Sequence, residues 1–216
     1  MTLSELIERA YTNAKLKGWH EDVRPSLEFH ALFTSEVAEA TEAVRKNSPH
    51  IYFVVNGEKV DAISLIREKI GTEGLSKMIP EGEAIELADV VIRICDFWGF
   101  QIDRFKMPEL SQYIENMYNN QDRVRIIEEV VNKYYKNPLC IHQIINQLIA
   151  DSSRIFSQDS ENEIKWKKNY TFRPTVEAVL VIAKYFERQG WNLQEALNLK
   201  MDYNETREYR HGNKRF

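Results

Sequence analysis

The stretch "GEAIELADVVIRICDFWG", residues 82–99, constrains the fold more than any other part of the chain. At helical spacing, Leu87, Val90, Val91, Ile92, Ile94 and Phe97 cover nearly the whole circumference. The polar residues Glu86, Asp89, Arg93 and Asp96 make one narrow stripe. A helix this apolar must be wrapped by other elements, so its carboxylates lie at the edge of a core or face another helix. Buried carboxylates need a partner. The helix itself supplies only Arg93 against three acids, and Gly99 is the expected C-terminal cap.

The wrapping elements also read as helices. Eight glycines and six prolines in 216 residues are sparse punctuation, and apolar positions recur mostly at helical spacing. One helix is expected over residues 2–16, and a second from Pro25, tolerated in a first turn, to Lys46. "IYFVVNGEKV" then changes the period, with Asn-Gly between β-favouring residues, the commonest short hairpin signal. A short helix follows at 62–70. Beyond Pro108, "LSQYIENMYN", "VRIIEEVVNKYY", "IHQIINQLIADSSRIF" and "TVEAVLVIAKYFERQGW" continue the helical pattern, with a polar loop at 157–168. The expectation is one all-α domain, a helical bundle with a small β-hairpin excursion near 51–60.

Composition excludes several classes. A net charge of −4 gives no support to a nucleic-acid polymer as partner. No apolar run approaches the ~20 residues of a membrane span, and the N-terminus lacks the apolar core of a signal peptide. Cys95 and Cys140 sit in apolar runs and read as small buried hydrophobes rather than a disulfide or zinc site. A cytoplasmic protein is expected.

An internal repeat is suggested by two overlays. Matching Gly99 to Gly190 lays Glu86 on Glu177, Arg93 on Lys184, Asp96 on Glu187 and Phe100 on Trp191, while Asp89 falls on Leu180. Matching His30 to His142 puts Glu36 on Leu148, Ala38 on Ala150 and Glu39 on Asp151. Identities are few, and amphipathic helices always align passably. Either the chain holds a catalytic half, 1–106, and a degenerate half, 107–199, or the likeness is that of any two helices.

"FTSEVAEATEAVRK" carries Glu36, Glu39 and Glu42 in steps of three. Such spacing crowds like charges on one helix side, which reads either as a solvated face or as half of a metal site. The distant pair Glu86 and Asp89, at the same spacing, favours the second reading. Four carboxylates facing one bundle interior suit Mg²⁺ or Mn²⁺. A di-iron centre would need Glu-x-x-His pairs, which His30 and His142 do not complete. Glu42 has no matched partner and reads as a solvated or supporting residue.

The closing segment, 200–216, sets Lys200, Arg207, Arg210, Lys214 and Arg215 among Asn204, Tyr209 and His211. It is either a disordered basic tail or a partner for polyphosphate, which takes both bidentate and point-charge contacts.

Together these residues resemble the MazG-like family of all-α nucleoside triphosphate pyrophosphohydrolases, including its dimeric dUTPase-type bundles. That family is marked by E-x-x-E on one helix and E-x-x-D on a later one, here "EVAE" and "ELAD". "KMDYNETREYRHGNKRF" resembles the basic tail of phage and bacterial members, and "KGWHED" the entry to their first catalytic helix. The resemblance touches residues 19–99 and 200–216. It departs in the long connection between Glu39 and Glu86, where the hairpin could form a substrate flap, and in the block 101–199.

The resemblance implies hydrolysis of a nucleoside triphosphate between the α and β phosphates. Glu36, Glu39, Glu86 and Asp89 would hold Mg²⁺ (or Mn²⁺), with Glu36 and Glu39 as catalytic residues and Glu39 acting on the attacking water. Lys200, Arg207, Arg210 and Lys214 would neutralise pyrophosphate, with Asn204 and His211 as hydrogen-bonding partners. Trp19 or Phe33 would stack on the base, each having core packing as its alternative. The assembly would be a homodimer, or a monomer if the second half imitates the partner subunit. A rival reading is a catalytically silent helical module that binds a nucleotide or a protein.

Overall fold

A computed structural model describes residues 1–22, 24–60, 78–158 and 171–209. Among these residues are eight helices and one small sheet: α1 (Leu3–Leu16), α2 (Ser26–Arg45), β1 (Tyr52–Val55), β2 (Glu58–Val60), β3 (Ile79–Glu81), α3 (Glu83–Phe105), α4 (Glu109–Tyr118), α5 (Gln121–Tyr134), α6 (Pro138–Gln158), α7 (Arg173–Gln189) and α8 (Leu193–Thr206). None of these helices is long and apolar enough to cross a membrane.

Helix α3 is the axis. Its residues from Glu83 to Val91 are all buried, as are Ile94 to Gln101. It packs against α1, α2, α4, α7, α8 and β3, and one apolar core draws residues from all eight helices. Local chemistry sets the ends. Thr2 and Glu5 form a reciprocal capping box at α1. The Asn120 and Asn192 side chains accept from backbone N–H groups at the starts of α5 and α8. The last turn of α8 contains no basic residue of its own. Instead Lys17 Nζ donates to the carbonyls of Glu205, at 2.7 Å, and Arg207, at 2.6 Å. That fastens the end of α8 to α1, and Arg9 adds ion pairs to Asp202 and Glu205.

Helices α2 and α6 run antiparallel: His30 Nε2 meets Ser152 Oγ at 2.8 Å near one end, and His142 Nδ1 meets Thr41 Oγ1 at 3.0 Å near the other. Helices α3 and α7 are antiparallel too. Trp98 Nε1 donates to Thr175 Oγ1, and Tyr185 OH donates to Glu83 Oε1.

The Asn-Gly hairpin forms as expected. Val55 pairs with Glu58, leaving Asn56 and Gly57 as the two loop residues, with φ of 53° and 85°. Both angles are positive, as a type I′ turn requires. A third strand, β3, was not expected from the sequence. It pairs with β1 on the side opposite β2, so Pro80 lies on an edge strand, where its missing N–H costs no central pairing. Phe53 and Met78 bury themselves beside Leu199 of α8.

Three local expectations are corrected. Gly99 does not cap α3, which continues to Phe105 and ends at Lys106 with φ of 52°. Gly99 instead lets Tyr11 approach the helix, since a Cβ there would lie 2.4 Å from Tyr11 Cβ. Ser157, read as loop, belongs to α6. Cys95 is buried, but Cys140 is only half-buried. The helix expected at 62–70 and the loop residues 159–168 lie outside the described residues.

Gly99→Ala should therefore destabilise the fold by about 1–3 kcal/mol despite alanine's better helix propensity. A urea-unfolding midpoint unchanged or raised relative to wild type would contradict this packing.

Candidate metal centre

Glu36 comes from the middle of α2, and Glu86 and Asp89 from the first half of α3. Because α2 and α3 run antiparallel, with Gln101 donating to Ser26 Oγ at one end, the two carboxylate positions meet. One oxygen from each of the three residues lies within 4.8 Å of the others. All three are buried, at 6%, 3% and 3% exposure. Glu39 is exposed and stands outside this cluster. Glu42 is also exposed and pairs with Arg45 and Lys46, in keeping with a solvated role.

Two cations enter the cluster. Lys200 of α8, 8% exposed, places Nζ 3.0 Å from Glu86 Oε2 and 3.5 Å from Asp89 Oδ2. Arg93 Nη2 is 3.2 Å from Glu36 Oε1, while its Nε stands 3.9 Å from Asp89 Oδ1. Three acids thus share two cations. Burial and the Asp89 charge push Glu36 up to about 8, against the pull of Arg93 and Lys200. Burial also pushes Glu86 up to about 7, although Lys200 opposes it. At Asp89 burial acts the same way, but Lys200 and Arg93 outweigh it and hold the carboxyl below its ordinary value. Lys200 is raised despite its burial, because Asp89, Glu86 and Glu36 all favour its charge. Asp89 therefore keeps its charge, while the two glutamates bear the imbalance.

Several buried polar atoms at this place lack a hydrogen-bond partner among the described residues: Asp89 Oδ1, Arg93 Nε and Asn204 Oδ1. Asp89, Arg93 and Asn204 border a cavity of about 30 Å³, which Trp19, Lys17 and Asp96 also line. Asp96 Oδ1 lies 2.6 Å from His20 Nε2. That buried pair was not anticipated, because its partners are far apart in sequence and neither forms a short motif. Arg207 is half-buried in the field of Asp89 and Glu36, and burial lowers its pKa.

The structure thus brings together Glu36, Glu86, Asp89, Lys200, Asn204 and Trp19, with Arg207 close by and Glu39 on the solvent side. Phe33 is wholly buried against His30 and Phe97 and belongs to the core. Arg210, His211 and Lys214 lie outside the described residues. Compared with known proteins, the chain matches no family model, no curated protein and no solved structure.

The raised glutamates set a sign for pH dependence. A carboxyl whose folded pKa exceeds its unfolded value near 4.5 keeps its proton in the fold after the unfolded chain has lost it. Its contribution is then complete below that value and is lost as pH rises through about 7 and about 8. Asp89, whose pKa is lowered, contributes the opposite slope only in stronger acid. In chelator-treated protein, the Tm should fall between about pH 5 and 8, and Glu36→Gln should flatten that fall. A Tm rising through this interval would refute the assignment.

Proposed function

We propose that the protein is a metal-dependent nucleoside triphosphate pyrophosphohydrolase of the MazG-like kind, cleaving the α–β phosphoanhydride to a nucleoside monophosphate and pyrophosphate. The observation that carries this reading is the buried, oxygen-only cluster of Glu36, Glu86 and Asp89, contributed by two antiparallel helices.

The donor set fits a hard divalent cation. It contains carboxylates alone, outnumbers its two protein cations once ionised, and leaves Asp89 Oδ1 without a hydrogen bond among the described residues. Glu36, Glu86 and Asp89 would hold Mg²⁺ or Mn²⁺. When bound, such an ion supplies positive charge that polarises a phosphate and makes a coordinated water more acidic. The remaining work falls to the chain. Glu39, one turn along α2 and open to solvent, takes the proton of the attacking water on a carboxylate oxygen. Arg207 and Lys200 offset charge on the leaving pyrophosphate, joined by Arg210 and Lys214 on the strength of the resemblance, with His211 as a hydrogen-bonding partner. Asn204 and Trp19 border the cavity beside Asp89 and suit the nucleoside end, where the Trp19 ring would stack on a base.

The reciprocal pairs between α2 and α6 support a fused repeat. On the overlay of His30 with His142, Ser152 falls on Ala40, next to Thr41, so each histidine meets a hydroxyl at nearly the same place on the opposite helix. Such a chain would act as a monomer that contains its own partner half. The second half has no comparable cluster among the described residues. There Glu177, the counterpart of Glu86, pairs with Arg123 and Arg173.

A silent nucleotide- or protein-binding module is favoured by one fact, that Lys200 and Arg93 already partner the acids. Incubation with Mg²⁺ and a panel of canonical and modified NTPs and dNTPs, assayed for pyrophosphate, separates the two readings. Asp89→Asn should lower metal-dependent release by about a hundredfold or more, and Glu39→Gln by a similar factor, with helical circular dichroism unchanged in both. Full activity in Asp89→Asn would remove the metal-centre assignment, and full activity in Glu39→Gln would remove only the role given to Glu39.

A further inference from the structure

Lys200 occupies the acidic cluster itself rather than its rim. Its ammonium lies 3.0 Å from Glu86 and 3.5 Å from Asp89, with only 8% of the residue exposed. These are two of the three residues assigned above to a divalent ion, so lysine and ion compete for the same oxygens. The charges point to exchange. With all three carboxylates ionised, as a bound divalent ion would have them, Lys200 and Arg93 leave one negative charge in excess. A divalent ion added to both cations would reverse that excess, whereas a divalent ion with Arg93 alone balances the three acids. Arg93 is the better resident: it lies on α3 with its Nη2 directed at Glu36, whereas Lys200 reaches in from α8 on a flexible stem.

We propose that Lys200 is an internal counter-cation that holds the cluster together without metal and is expelled when a divalent ion binds. The inference rests on the metal-centre reading and deepens it. The expelled ammonium moves from a site where it neutralises protein carboxylates to one where it can neutralise phosphate. Metal loading thereby creates part of the polyphosphate site, and the metal-free protein lacks it. The location of Lys200 on α8 fits this coupling. Arg207 follows directly on the end of that helix, and Lys17 holds this end against α1, so only the side chain of Lys200 needs to move.

Two measurements test the exchange without using catalysis. In the first, chelator-treated wild type and Lys200→Met are titrated with Mn²⁺, without nucleotide, by electron paramagnetic resonance. Lys200→Met should bind Mn²⁺ about tenfold more tightly or better, and should unfold at a lower temperature than wild type only while metal is absent. Loss of any nearby cation also tightens metal binding, so the second measurement uses wild type alone. Lys200 is acetylated with an amine-specific reagent and quantified by mass spectrometry, with and without saturating Mn²⁺. It should be protected in the metal-free protein and react several-fold faster in the loaded one. Equal Mn²⁺ affinity in both proteins, or equal protection of Lys200 with and without Mn²⁺, overturns the displacement and leaves the metal centre standing. No Mn²⁺ binding by either protein overturns the metal centre and the exchange together.

Discussion

The burial of α3 on nearly every side is the constraint from which the rest follows. A helix surrounded by α1, α2, α4, α7, α8 and β3 has no solvent face on which to put Glu86 and Asp89. They are therefore carried indoors with the leucines and valines beside them. Fully ionised carboxylates in such a place are costly unless compensated, and the compensation organises the neighbourhood. Arg93 folds back along its own helix, α8 delivers Lys200, and Lys17 and Arg9 tie the far part of α8 to α1. The placement of α8 is thus as much an electrostatic requirement as a hydrophobic one.

That chain of consequences was only partly legible in the sequence. Periodicity marked α3 and its stripe because a helix buried on all sides leaves an unmistakable pattern, and Asn56-Gly57 marked the hairpin because few other pairs tolerate two positive φ values. The pairing of "EVAE" with "ELAD" predicted the meeting of α2 and α3. Glu39 lies on the exposed side of α2, because residues three apart differ by about 60° around a helix. On α3 that difference is immaterial, since every direction is buried. On α2 it decides which glutamate faces inward. Gly99 reads as a cap for a related reason: its neighbour Tyr11 is remote in sequence, and a glycine admitting a side chain resembles a glycine ending a helix. Strand β3 carried a proline that argued against a strand, and only its edge position resolves that. Lys200 reads from the sequence as part of a basic segment, and nothing local shows that it sits among the acids.

A second buried polar cluster shows what full satisfaction looks like in this protein. Glu83 accepts from Tyr185 and faces His142 Nε2 at 3.0 Å, while His142 Nδ1 meets Thr41, whose hydroxyl also lies 2.8 Å from the Val37 carbonyl. This network gives Glu83 and His142 two hydrogen-bonding partners each. It joins α2, α3, α6 and α7, so it belongs to the assembly of the bundle.

The acidic cluster, one turn further along α3, differs in each respect. It sets three acids against two close cations, has atoms on Asp89, Arg93 and Asn204 without hydrogen bonds among the described residues, and has a cavity beside it. Both clusters are equally well enclosed, so poor packing of the region does not explain the contrast. A chain able to satisfy Glu83 completely could have replaced Glu36 or Glu86 with an apolar residue at little cost in stability. Where one cluster is finished and the other keeps atoms without hydrogen bonds beside a cavity, the unfinished cluster is the place that the proposed divalent ion would complete.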